Sequence, residues 1–544
     1  MNSKLTVDLG HSLPTQMNRQ DLGWLALILI FALTVRLIFF TGFFGSDEVT
    51  YLSMAHSITQ NIWQSKENYI GTLRYGVNIP MAVFMWSFGT TEFAAGLWSL
   101  VTSVGEVALV FFAARQFWGS RAGVFAALCL AVTPLHAHFA GRLMADSPLA
   151  FFVTATFYLT WLAGHKQSVR IYLLAGLTAG ALYWIKDAVF FISLFVLGIY
   201  VVVGRVWQKR WLISIIGVGV MVVANFVFMW VVYGDPFYVF HSGQQSLQGI
   251  ASMPKSSPWF YINYLLLDIR HVWVLFYFAS GGLAMLIKRE GTFRSLAGAN
   301  TFILIWFFGF LMVLSALVLR QPNYMLIFLA PLALLGGYFL SNLRTKATSG
   351  TVALFAVGGL ALSALEQQAV EVFTANSRST VVFAQLHAGS QVYGSTGATR
   401  ADTYHTLLSS APKAHPPILP LKKLESSLGS ESGKVASASG SKSGFAVMDP
   451  QMLTWTNTGA IDWQLLLSAG CLVKHSNLIP APLGLGRYVT DSIFVVTSFL
   501  PSSLNTRIRE KLLSTLRPLP ATVYSVELPC VSPKTDLGTM NGVK

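Results

Sequence analysis

Charge is what this sequence has least of: Asp, Glu, Lys and Arg make up 11% of its 544 residues, against 53% hydrophobic residues and a mean hydropathy of +0.56. A soluble domain carries about a quarter of its residues charged, so that scarcity excludes a soluble composition and makes the bilayer the main solvent. Acids are the scarcer sign, 23 against 37 basic residues, for a net charge of +14. The basic residues come in small clusters between apolar runs, not in one stripe, so they report topology and argue against a nucleic-acid partner. Cysteine is nearly absent, and three residues make no disulfide framework: Cys129 sits in an apolar run, while Cys471 and Cys530 fall in the polar C-terminal third, where they could pair if that third is extracytoplasmic.

What is there instead is a series of apolar runs. A helical span needs about 20 apolar residues. Eleven runs meet or approach that length: Leu22 to Phe44, Glu92 to Ala114, Ala122 to Ala140, Ser147 to Ala163, Ile171 to Ile185, Ala188 to Val203, Trp211 to Val232, Ile269 to Ile287, Thr301 to Leu319, Tyr324 to Leu340 and Thr351 to Leu365. The fifth, sixth and last are short. The first run, 23 residues with no small-residue cleavage site, is too long for a signal-peptide core of about 7 to 15 residues and reads as a retained span after an N-terminal tail, residues 1–21.

With the N-terminus cytoplasmic, the inside connections hold fourteen basic residues, from Lys4 and Arg19 to Arg344 and Lys346, against three acids. The outside connections before the last span hold seven, matched by acids. This is the positive-inside bias, and every alternate loop obeys it. It places Asp47, Glu48, Arg142, Asp146, Lys186, Asp187, Asp235 and Arg320 on one outer face. The first outer loop, 45–78, carries Tyr51, Trp63, Tyr69 and Tyr75 and reads as interfacial helices. The loop 234–268, with three prolines among Tyr and Trp, reads as a partly ordered lid.

The apolar region ends near residue 366, and 367–544 has an ordinary mixed composition with a Ser/Gly-rich flexible insert at 425–444. Strand character at Gln391 to Tyr393, Gly444 to Met448 and Ile493 to Thr497, with helical character at Arg400 to Ser409, predicts a small extracytoplasmic α/β domain. The Gly394-Ser395-Thr396-Gly397 step between strand and helix reads as a turn more than a phosphate loop.

Several outer residues admit both a structural and a chemical role. Asp47 and Glu48 fit a capped helix N-terminus, or a general base held at the headgroup plane. Arg142 and Asp146, at i and i+4, fit an ion pair. Lys186 lies in a minimal turn after a small-residue stretch that allows close helix packing. Arg320, at the outer end of the ninth run, either snorkels to headgroups or awaits an anion. Arg36 and Glu106 lie inside spans, must face the interior, and could pair. His136 and His138, two apart, point to different faces of a helix and do not make a metal site.

Four patches together resemble the GT-C membrane glycosyltransferases, in the branch of the protein O-mannosyltransferases and the lipid A aminoarabinose transferases. They are Asp47-Glu48 with Tyr51 after a span bearing Arg36; the 89–119 span with Thr133-Pro134 and Arg142 through Leu149; Ala175-Gly176 to Lys186; and Arg320 through Tyr324 with Ala330-Pro331-Leu332. The resemblance covers Leu22 to about Leu340. It implies a polytopic α-helical membrane protein whose GT-C-like catalytic domain spans residues 22–366. Its implied activity moves a sugar from a polyprenyl-phosphate donor to a lipid, glycan or protein acceptor, at a hydroxyl or phosphate on the extracytoplasmic face, by inverting displacement. Asp47 would then be the catalytic base, with Glu48 and Asp146 orienting acceptor or sugar. Lys186 and Arg320 would bind the donor phosphate, with Arg142 a lesser cation for it, and Tyr51 and Tyr324 are further candidates.

A phosphate leaving group needs cationic stabilisation and no acid to protonate it, so one carboxylate base suffices. No cofactor follows from these residues, and the resemblance leaves a divalent metal open. Tyr75 to Pro80 matches the family only loosely, and the repeated domains of eukaryotic mannosyltransferases are absent, which points to a bacterial inner membrane. A transporter or a noncatalytic envelope scaffold is the alternative; no internal repeat supports the first.

Overall fold

A computed structural model describes residues 17–65, 69–204, 206–251, 256–290, 298–409, 415–424, 444–450, 472–478, 491–492, 494–495, 497–516 and 519–526. The proposed pairing of Cys471 with Cys530 and nearly all of the flexible insert lie outside these residues. The chain divides into two compact units: residues 1–42 with 50–367, and residues 43–49 with 368–544.

The first unit is helical. In chain order it contains α1 (Arg19–Ile38), α2 (Glu48–Thr59, from Thr50 on), α3 (Tyr75–Phe88), α4 (Glu92–Trp118), α5 (Ser120–Ala131) and α6 (Pro134–Ala140). Next come α7 (Asp146–Lys166), α8 (Val169–Ile185), α9 (Asp187–Val203) and α10 (Trp211–Tyr233). After α11 (Tyr238–Ala251), α12 (Phe260–Leu266) and α13 (Ile269–Val272) come α14 (Leu275–Glu290), α15 (Ala299–Ala316), α16 (Leu329–Ser341) and the first part of α17 (Thr345–Leu386). Seven of the described helices are long and apolar enough to cross a bilayer, or eight with α5 and α6 taken as one bent span. Three shorter apolar helices, α8, α9 and Leu275–Lys288 of α14, account for the remaining apolar runs. The last run is not short: it is part of the apolar helix Thr348–Leu386. The protein is an integral membrane protein.

Local chemistry explains where the runs bend. Pro134 has no amide to donate and disfavours helical backbone at Thr133, so the run from 120 to 140 breaks into two helices bent by 65°. Small residues let the helices approach: a Cβ on Gly176 of α8 would lie 2.1 Å from the Ser214 carbonyl of α10, and one on Gly337 of α16 would lie 2.4 Å from Ala126 of α5. α16 is buried nearly all round. α10 turns Val220, Val223, Val227, Trp230 and Val231 outward, as a lipid-facing helix does.

The intramembrane charges are joined. Arg36 Nη2 lies 2.6 Å from His136 Nδ1, and His136 Nε2 lies 2.9 Å from Glu106 Oε2. Arg36 Nε donates to Ser103 Oγ at 2.8 Å and Thr154 Oγ1 to Glu106 Oε1 at 2.9 Å, so α1, α4, α6 and α7 share one buried network. The expected interior placement of Arg36 and Glu106 holds, with His136 as the link between them. Asp21, near the start of α1, pairs with Arg115 at 2.9 Å near the end of α4.

The second unit carries a five-stranded mixed sheet ordered β2-β1-β3-β5-β4, from β1 (Gln391–Gly394), β2 (Leu419–Pro420), β3 (Gly444–Met448), β4 (Leu472–Asn477) and β5 (Thr522–Val526). β1 pairs parallel with β2 and β3, and β5 antiparallel with β3 and β4. Its core gathers Leu421, Leu424, Ala446, Leu472, Tyr524 and Val526. α18 (Thr396–Leu408) follows β1, its N-terminus capped by Ser395 Oγ accepting from Ala398 N at 3.2 Å, so the Gly394 to Gly397 step is a helix-entry turn. α19 (Ser502–Leu516) precedes β5.

The strand expected at Ile493 to Thr497 is not one: its described residues are helical. The β-branched run has strand propensity, a context-dependent preference that local helical bonding outweighs here: Ser498 N donates to the Phe494 and Val495 carbonyls at 3.2 Å.

Candidate active site

In the helical unit, the turns that open α7, α9 and the segment before α16 form one pocket. Asp146, the first residue of α7, is buried, and its Oδ1 accepts from Asn323 Nδ2 at 2.9 Å. Lys186 is extended, with φ −163°; its amide closes α8 on the Leu182 carbonyl at 2.7 Å, and its carbonyl accepts from Val189 N and Phe190 N as α9 begins. The side chain therefore leaves between two helix ends, and its ammonium sits 4.2 Å from the centre of the Tyr324 ring. Pro322, whose fixed φ suits a helix start, opens the 3-10 turn Pro322–Phe328 that presents Asn323 and Tyr324. Leu149, Val189, Ile192, Leu314, Leu317 and Ile327 complete an apolar wall around a small, partly open cleft. A cation, a carboxylate, an amide and an apolar wall together suit a ligand that is anionic and polar at one end and greasy at the other.

The acidic turn belongs to the other unit. Glu48 is completely buried, and its Oε1 accepts from Phe44 N at 2.7 Å, from Ser46 N at 3.0 Å and from Gly45 N. Gly45, at φ +92°, takes the left-handed conformation this nest of amides requires. Glu48 thus ties down the turn that precedes α2 and does not cap the helix's own first amides. Its Oε2 is buried without a hydrogen-bond partner among the described residues. Asp47 is half-buried beside it.

The other expected residues are placed as follows. Tyr51 is buried and accepts a hydrogen bond from Arg74. Arg142 is buried, with its guanidinium 4.7 Å from the Phe139 ring and its backbone bridged to Gly42. Arg320 uses three N–H groups on carbonyls: Nε and Nη2 reach the Ser315 carbonyl at the end of α15, at 2.9 and 2.7 Å, and Nη1 reaches that of Ser256. It therefore works as a helix cap, with two of its guanidinium's five N–H groups outside these bonds. Asp146, Lys186 and Tyr324 are brought together; Arg142 and Arg320 do not line their pocket. Asn323 was missed, although it sits in the Arg320 to Tyr324 patch. No group of three or more His, Cys, Asp or Glu among the described residues is placed to hold a metal ion.

Residues 75–233 match the family described as dolichyl-phosphate-mannose-protein mannosyltransferase. No curated protein matches the sequence. Among solved structures, the chain is similar to apo ArnT from Cupriavidus metallidurans, with 16% identity, a TM-score of 0.57 and coverage of 80% of this chain and 95% of that one. The same enzyme bound to undecaprenyl phosphate matches with 15% identity and a TM-score of 0.56 over 94% and 99% of the two chains. The oligosaccharyltransferase of Archaeoglobus fulgidus, tethered to an acceptor peptide with the NVT sequon, matches at 13% identity and a TM-score of 0.51 over 85% and 74%. The fold is that of the GT-C glycosyltransferases.

Proposed function

We propose that this chain, a membrane glycosyltransferase of the GT-C type that uses a polyprenyl-phosphate donor, takes the donor's phosphate at Lys186 and its sugar beside Asp146 and Asn323. The observation that carries the reading is the Lys186 ammonium, held over Tyr324 in a pocket whose remaining walls are largely apolar. A lipid-linked sugar phosphate has that same division of charge and apolar surface. The family match over 75–233 and the similar fold of an enzyme solved with undecaprenyl phosphate support the donor class.

In the proposed reaction an acceptor oxygen attacks the anomeric carbon, the bond from that carbon to the phosphate oxygen breaks, and polyprenyl phosphate leaves with the electron pair. Asp47 takes the acceptor's proton. Lys186 stabilises the charge growing on the phosphate, which needs no acid at this step. Glu48, bound to the amides of its own turn, sets Asp47 in place. Arg320 and Arg142, outside the pocket lining, are secondary cations that act on the donor only through the field of their charge. Tyr51 acts with Arg74 as a support of the same region. The acceptor is a hydroxyl or phosphate of a lipid, glycan or protein. The distribution of basic residues supports a cytoplasmic N-terminus and an extracytoplasmic C-terminal domain, and the resemblance without the repeated domains of eukaryotic mannosyltransferases supports a bacterial inner membrane.

The test is Asp47→Asn in membranes supplied with a panel of labelled polyprenyl-phosphate sugars. Removing a general base lowers transfer by roughly 10² to 10⁴-fold, with donor binding retained. Undiminished glycan transfer by the variant would exclude the base role.

A further inference from the structure

We infer that the C-terminal unit holds the acidic turn in working geometry and that Arg400 is the positioning residue through which it does so. The catalytic consequence rests on the reading of Asp47 as the base; the positioning itself does not.

The turn is gripped from one side by two helices of its own unit. α18 places Arg400 and Tyr404 four residues apart on one face. Arg400 Nη1 donates to the Gly45 carbonyl at 2.9 Å. The Tyr404 ring lies 5.0 Å from that of Phe43, whose side chain is 1% exposed, and Phe44 stacks on Phe373 of α17 at 5.1 Å and 24°.

The peptide group between Gly45 and Ser46 is held at both ends. Its carbonyl accepts from Arg400, and its N–H donates to Glu48 Oε1 at 3.0 Å. A peptide group is planar, so fixing both of its polar atoms fixes the plane, and the backbone of Asp47 follows one residue later. Glycine at position 45, with its positive φ, has little intrinsic preference for this orientation. The guanidinium therefore supplies what local sequence does not, and it comes from a helix some 350 residues away in the chain. Phe43 anchors the turn by burial and Phe44 by stacking on Phe373, while Arg400 sets its rotation.

The experiment is hydrogen exchange of the full-length protein in lipid nanodiscs, wild type against Arg400→Ala, Arg400→Gln and Arg400→Lys. A charge-assisted bond of this kind is worth enough that its loss should speed exchange over residues 43–49 by roughly tenfold or more. Peptides over residues 396–408 should be unchanged, and Arg400→Lys should restore most of the protection. Unchanged exchange over 43–49 in Arg400→Ala overturns the inference. So does an equal rise over 396–408 in the Ala and Gln variants, which would make Arg400 a structural residue of α18.

Turnover of synthetic polyprenyl-phosphate hexoses separates the two readings. With both correct, Arg400→Ala lowers kcat, leaves donor KM in place and is rescued by lysine. Faster exchange over 43–49 with undiminished turnover leaves the positioning intact and removes Asp47 as the base.

Discussion

Replacing Lys186 with Met keeps most of the side chain's stem against Tyr324 and deletes only the charge. The ammonium stands 4.2 Å from the ring centre, in a pocket that also offers Asp146 and Asn323. A phosphodiester anion about 4 Å from it would interact by about 4 kcal/mol at an effective dielectric near 20. Lys186 is only half-buried, so solvent screening and the lost hydration of both ions reduce this. About 2–3 kcal/mol remains, in line with charged hydrogen bonds, which corresponds to roughly a 30- to 150-fold rise in donor KM. Arginine at this position keeps the charge and can stack on Tyr324, so Lys186→Arg should recover part of the loss. The assay is titration of a labelled polyprenyl-phosphate sugar against proteoliposomes at two salt concentrations. A donor KM in Lys186→Met within about twofold of wild type, well under one pK unit's worth of energy, would remove Lys186 from the donor site.

Glu106→Gln leaves Arg36 buried without the opposing charge it reaches through His136, and should cost about 3–5 kcal/mol of stability, read as a lower melting temperature in detergent. An unchanged melting temperature would mean that the relay does not bear that charge. Arg320→Ala should lower stability by about 1–3 kcal/mol as the Ser315 and Ser256 carbonyls lose their donors, with Arg320→Lys recovering only part. A donor KM that rises in the Ala variant and returns in the Lys variant would put Arg320 directly on the phosphate. For Asp268, burial raises the carboxyl pKa, but the His271 and Arg270 side chains at 3.3 and 3.2 Å outweigh it and hold it well below the usual carboxylate range. Its stabilisation of the α12–α13 turn is therefore complete above the ordinary carboxylate pKa and is lost only as pH falls below that value, so Asp268→Asn should flatten the acid limb of a melting-temperature profile.

The apolar runs made the helices legible because span length and period are composition-level signals. What they did not show was interruption. The run from Ala122 to Ala140 reads as one predominantly apolar span, and only Pro134 marks its break. At 269–287 the chain divides at Trp273, which takes a left-handed φ of +56° with no glycine to announce it. Strands β1 and β3 were legible from β-branched and aromatic residues, while β4, Leu-Val-Lys-His-Ser-Asn, lacks a clear alternation and was missed. α3 fell between a loop assignment and a span assignment, being 14 residues long with Trp86 and Phe88 exposed.

The candidate site was legible to the extent that topology constrains it. Asp146, Lys186 and Tyr324 open separate helical segments on turns that the charge bias assigned to one face, and three such turns have little choice but to be neighbours in a bundle. The partners that set each side chain's direction were not legible, because they depend on packing at long sequence separation. Asn323 meets Asp146 across 177 residues, and His136 joins Arg36 to Glu106 across 100 and 30. The acidic pair shows the difference most sharply. Adjacent carboxylates look equivalent in the sequence, yet one amide nest can hold only one of them, and Gly45 forms that nest around Glu48. Which of the two is taken rests on the positive φ of Gly45 and the complete burial of Glu48, neither of which a pair of adjacent acids announces.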